Sequence, residues 1–163
     1  MIPSIAPLHA ILALNTHLVR NAVDGVDDDK ARARPLDGNS VAYLFAHVIG
    51  SRFLMARTAG AAPMDNPIDA YITPRTPIDQ VTSWPTMAEL HAAWTTASAS
   101  LEDALQTLSA EGAAQMTDYK LPVADRTVGG ILAFFTQHDS YHLGQLSMLR
   151  KYLLGAAMSY KIG

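Results

Sequence analysis

The stretch from Thr127 to Leu154 carries only three charged side chains, Asp139, Arg150 and Lys151. It is long enough for about seven helical turns, and Gly155 follows it as the usual sort of C-terminal stop. A helix that is apolar nearly all round must be covered on more than one side. This one therefore needs a central place among other helices, a partner chain, or both.

Three further segments supply neighbours. Ile5, Leu8, Leu12, Val19 and Val23 recur at helical steps, and Gly25 follows as a stop. Ser40 is placed to cap a second helix, with Val41, Leu44, Phe45, Val48, Arg52 and Met55 along one side. A third helix opens with the capping box Thr86-Met87-Ala88-Glu89 and repeats Leu90, Trp94, Ala97, Leu101, Leu105 and Leu108, with Gly112 expected to end it. No strand pattern competes, and there is no internal repeat. The expected fold class is all-α: a four-helix bundle with a long crossover between helices 2 and 3, forming one domain over 1–163.

The connections differ in character. Residues 24–39 are rich in Asp, Arg, Pro and Gly; the run Asp27-Asp28-Asp29 lacks calcium-loop spacing and reads as a solvated acidic turn. Residues 59–85 hold five of the nine prolines (Pro63, Pro67, Pro74, Pro77 and Pro85), which excludes a regular helix or a central strand. The same segment carries Met64, Ile68, Tyr71, Ile72, Ile78, Val81 and Trp84, too apolar for a domain linker. An ordered crossover or lid is expected.

Six histidines are the obvious chemistry: His9, His17, His47, His91, His138 and His142. His138 and His142 stand four apart on the last helix, one turn from each other on the stripe Ile131, Phe135, His138, His142, Leu146, Leu149. His47 lies between core positions of the second helix. Burying several imidazoles without a shared partner costs desolvation, whereas one divalent cation satisfies them together. His9 and His17 fall off the apolar line of the first helix, and His91 lies beside Thr95 and Glu102, so solvated or supporting roles are expected for these three. Asp139, Tyr141 and Gln145 flank the pair, and 139 and 141 point roughly 100° away from their histidine neighbours. None of these three is expected to be catalytic. His-Asp-Ser-Tyr-His also resembles the zinc-protease pattern, but Asp in place of Glu draws the base away from a bound water. Gly50 and Gly144 lie near the ligand positions, where a helical glycine asks for close packing or room for a ligand.

Composition narrows the chemistry. The chain has no cysteine, so metal ligands must be nitrogen or oxygen and any sulfur nucleophile must arrive as a co-substrate. A net charge of −3 offers no nucleic-acid footprint. No apolar run approaches a membrane span, and the N-terminus lacks a basic region ahead of its apolar stretch, so no membrane partner and a cytoplasmic location are expected.

Two segments carry a family resemblance. One is Leu-Phe-Ala-His-Val-Ile-Gly-Ser-Arg-Phe-Leu after a Pro-Leu-Asp-Gly-Asn-Ser lead-in; the other is His-Asp-Ser-Tyr-His-Leu-Gly-Gln-Leu-Ser-Met-Leu-Arg-Lys-Tyr-Leu-Leu-Gly. In these the sequence resembles the DinB family of DinB/YfiT-like metalloenzymes. The resemblance implies an up-up-down-down four-helix bundle, often a homodimer, with a three-histidine divalent metal site at His47, His138 and His142. It implies zinc or nickel, and a low-molecular-weight thiol as co-substrate of an S-transferase or isomerase acting on a small molecule. Some members carry Arg directly after the last histidine, where this chain has Leu143.

Three neutral imidazoles leave a cation its full charge and an open position, which acidifies bound water toward a pKa of roughly 7 or holds a thiol as thiolate. A thiol-dependent S-transferase is the leading expectation. A metal-dependent hydrolase is the alternative, and a non-catalytic dimeric bundle with a structural or vestigial metal is the third.

Overall fold

Ser40, Thr86 and Thr127 each close the first turn of a long helix, the side-chain oxygen accepting the backbone N–H of Tyr43, Glu89 and Gly130 respectively. Each such cap is worth about 0.5–2 kcal/mol. At Thr86 the Glu89 carboxylate reaches back to the cap's own N–H and completes the box. Gly155, with φ of 69°, ends the last helix in the left-handed region that only glycine enters freely. The computed structural model describes residues 1–73 and 75–161, so Pro74 of the crossover lies outside the described residues.

Among the described residues six α-helices follow in order: α1 (Ala6–Val23), α2 (Asp28–Arg32), α3 (Val41–Thr58), α4 (Met87–Thr107), α5 (Ala110–Ala114) and α6 (Val128–Leu154). Among the described residues there is no strand, only an isolated bridge between Met116 and Thr127. The fold is all-helical, with α1, α3, α4 and α6 as its long members.

Two local expectations change. The acidic run is not merely solvated: Asp27 caps α2 through the Lys30 N–H, and Asp28 Oδ1 accepts the Met87 N–H at 2.7 Å, tying α2 to the start of α4. Gly112 does not end the third helix. α4 stops at Thr107, Leu108 turns inward, and Ser109 caps the separate turn α5, inside which Gly112 lies.

Contacts along the helices set their directions. Asn15 Nδ2 donates to Ser140 Oγ at 2.9 Å, and the Arg150 guanidinium meets the Asp24 carbonyl at the far end, so α1 and α6 run the same way. Phe45 packs on His91 (5.5 Å between ring centres), while Ala56 shares its cluster with Leu101, so α3 and α4 also run together. His47 meets His142 while Ser51 lies beside His138, so α3 opposes α6. The order is up-down-down-up rather than the up-up-down-down that the resemblance implies. Parallel neighbours need a connection that returns the full helix length, which is why the segment between α3 and α4 is long.

That crossover is ordered. It contains two 3-10 turns, Pro67–Ala70 and Ile78–Gln80, and buries Ile68 and Ile72. Tyr43 Oη donates to the Thr76 carbonyl and Tyr71 Oη to Glu89 Oε1, each at 2.8 Å.

Apolar burial falls into two clusters, one around Val19, Phe45, Trp94 and Leu146, the other around Leu12, Met55, Leu101 and Ile131. In sequence position, Asn15, Thr16, Arg52, Ser98 and Asp139 fall between them on all four long helices. The metal candidates lie beside this polar layer.

Candidate metal centre

His47 is held at mid-length on α3, between Ala46 and Val48, both buried. His138 and His142 project from α6 toward it. His138 Nε2 lies 2.9 Å from His47 Nε2 and 3.1 Å from His142 Nε2, and the three ligand atoms lie within 4.8 Å of one another. All three side chains are half-buried. Nitrogens bound 2.0–2.1 Å from a tetrahedral zinc stand about 3.3 Å apart, so the spacing fits a single small cation.

Proton counting gives the same answer. The Gln145 Oε1 carbonyl accepts from His142 Nδ1 at 2.7 Å, which leaves His142 Nε2 a bare lone pair facing His138. His138 Nε2 faces two nitrogens and carries at most one proton, so direct hydrogen bonding among the rings leaves one approach unsatisfied. A cation satisfies all three lone pairs. Ser51 Oγ stands 3.5 Å from His138 Nδ1 and donates to the His47 carbonyl at 3.2 Å.

Burial disfavours the charged form of each imidazole. His47 is lowered to about 4 and His138 to about 3, chiefly by desolvation and then by neighbouring histidines. His142 is lowered by desolvation, opposed by its bond to Gln145. A histidine that ligates must be neutral, so depressed values preserve the binding form in mild acid. The expected result is that bound metal is retained at pH 5.5, below the ordinary histidine value of 6.5. Linkage runs the other way for the metal-free protein. Below pH 6.5 its unfolded chain binds protons that the folded site refuses, so stability falls as pH drops from 6.5 to 5. Thermal unfolding of metal-free protein across that window checks this; a flat profile contradicts it.

Behind the histidines lies the buried pair that sequence reading missed. Arg52 Nε donates to Asp139 Oδ2 at 2.5 Å, with both side chains almost wholly buried. Arg52 also donates to Thr16 Oγ1 and the Leu12 carbonyl, and its guanidinium lies 4.7 Å over the Trp94 ring. Burial pushes the Asp139 carboxyl up, and Arg52 pulls it back. A signal was available: Arg52 lies on the apolar side of its helix, and Asp139 is the sole acid of α6.

The remaining histidines stay away from the centre. His9 pairs with Glu102 at 2.7 Å and links α1 to α4, His17 is exposed, and His91 packs edge-on against Phe45. Tyr141 is exposed and accepts from Gln145 Nε2 at 3.3 Å. Gly144 has open space around it, so close packing within the chain does not account for it. Leu143 is buried in the core.

A cavity of about 330 Å³ opens beside His47 and His138. Gly50, Ser51, Leu54 and Arg57 of α3 form one wall, Phe135 of α6 another, and Met64, Asp65, Asn66 and Asp69 of the crossover close it. Gly50 lines this cavity together with His47. No described helix is long and apolar enough to cross a membrane.

Comparison with known proteins follows this geometry. No curated protein matches the sequence. Three solved chains match, among them the crystal structure of a conserved protein from Enterococcus faecalis. That chain is 15% identical, superposes with a TM-score of 0.67, and is covered over 100% of its length by 96% of this one, a likeness of fold. The sequence profile of the DinB superfamily matches residues 11–146, and the chain belongs to that superfamily.

Proposed function

We propose that the protein is a divalent-metal-dependent enzyme, with His47, His138 and His142 holding zinc or nickel, that uses a low-molecular-weight thiol to carry out S-transfer on a small molecule. The observation that supports this reading is the convergence of three Nε2 atoms, with His47 and His138 lining a cavity, in a chain with no cysteine of its own. A divalent ion bound there supplies Lewis-acid polarisation and favours the ionised form of a thiol or water in its open position.

The chain's own residues have separate tasks. Gln145 fixes the His142 tautomer so that Nε2 faces the ion. Ser51 stands beside the far nitrogen of His138. Phe135 and the crossover narrow the access of water, and Gly50 lines the cavity with His47. The whole of residues 1–163 works as one domain in the cytoplasm, on a small-molecule substrate, without nucleic acid or membrane. The exposed Tyr141, Met148 and Tyr152 of α6 suit a homodimer contact, which light scattering at micromolar concentration checks.

Turnover by metal-loaded protein, assayed with and without added small thiols, tests the reaction class. Dependence on thiol is expected. Turnover unchanged in its absence overturns the transfer reading in favour of hydrolysis, since the same ion would then be activating water.

A further inference from the structure

Two of the candidate ligands and a cation line the same cavity: His47 and His138, and, ten residues further down α3, Arg57. A helical rise of 1.5 Å per residue sets the backbone positions of His47 and Arg57 about 15 Å apart, and Arg57 is solvent-exposed at the cavity's edge. Arg57 forms no ion pair among the described residues, although Asp65 and Asp69 line the same cavity. Asp69 is already engaged, its Oδ1 accepting from Asn66 Nδ2 at 2.7 Å. A guanidinium left free on a cavity wall offers a forked donor that matches a carboxylate.

We propose that the cavity takes an elongated organic anion whose soft donor atom lies at the three histidines and whose terminal carboxylate is held by Arg57. This rests on the reading of the histidines as a metal centre. Asp65 and Asp69 favour a singly charged end group, since a second negative charge would face them. Arg57 thereby sets both the length and the charge of the substrate.

The test is calorimetric and needs no turnover. Zinc-loaded protein is titrated with 3-mercaptopropionate, 8-mercaptooctanoate and 8-mercaptooctanamide, and the series is repeated with Arg57→Gln and Arg57→Lys. The expected result is tightest binding of 8-mercaptooctanoate and a loss of roughly tenfold in Arg57→Gln, with partial recovery in Arg57→Lys. The amide should bind equally to all three proteins. Metal and thiols bound with no dependence on chain length or on Arg57 overturn this proposal alone. Protein that takes up no zinc overturns the metal reading and the proposal with it, and the metal titration that precedes the series separates the two failures.

Discussion

Replacing His138 by alanine is expected to abolish stoichiometric binding of added zinc or nickel while leaving the helices folded. His138 is the central member of the three, with its Nε2 within 3.1 Å of both partners. Without it, His47 and His142 remain on opposite helices as a two-nitrogen site, and no other His, Asp or Glu among the described residues joins the group. Removing a partner that only orients a ligand costs about 10–100-fold in metal affinity. Gln145→Ala should fall in that range, through the lost bond to His142 Nδ1. Losing a ligand outright must exceed it, so the expected drop for His138→Ala is at least ~10³-fold.

Folding should respond differently. The metal-free parent carries desolvated imidazoles that resist protonation, and truncating one relieves that cost. The metal-free alanine variant is therefore expected to be as stable as the metal-free parent, and more stable than it at pH 5.5. Metal content after dialysis, circular dichroism and thermal unfolding read the three quantities separately. One equivalent of metal retained with unchanged affinity would show that the three nitrogens are not the binding site.

What the sequence disclosed follows from how local each signal is. The caps at Ser40 and Thr86 and the stop at Gly155 depend on a few neighbouring residues, and all three appear where the residues indicated. The convergence of His138 and His142 needed only helical spacing, and His47 needed only its apolar surroundings. Helix direction was not legible, because periodicity is the same for either sense. The long crossover held the clue, since only parallel neighbours require so much returning chain. Gly112 misled because the break came earlier, where Ser109 offered a new cap and Leu108 found the core. Arg52 was placed on the buried side of its helix, yet its partner lies 87 residues away. Pairing across that distance follows from the packing of α3 on α6, which no local pattern encodes.

That pair carries the other large effect. Arg52→Met is expected to destabilise the fold by about 3–5 kcal/mol, the usual cost of removing one partner of a buried ion pair. Arg52 is 1% exposed and Asp139 0%, and Asp139 Oδ1 already has no hydrogen-bond partner. Losing the guanidinium leaves the whole carboxylate without a counter-charge in a desolvated layer, and takes one donor from Thr16 Oγ1 and one from the Leu12 carbonyl, which keep their bond to each other. The double variant Arg52→Met/Asp139→Leu should recover most of the loss, because filling both positions with apolar side chains removes the stranded charge. The two sites are in contact, so the effects are not additive, and the coupling energy is the quantity of interest.

A second readout separates electrostatics from lost packing. Without Arg52, nothing offsets the burial that pushes Asp139 upward. The folded variant then holds a proton that the unfolded chain releases above about pH 4, so its stability falls as pH rises through that range. The deficit relative to the parent should therefore shrink on going from pH 7 to pH 5, and the histidine contribution cancels in the difference because both proteins share it. Urea denaturation at the two pH values gives both numbers. A deficit that is independent of pH, or a double variant no more stable than Arg52→Met, would mean that Arg52 serves by filling space over Trp94 and not by neutralising Asp139.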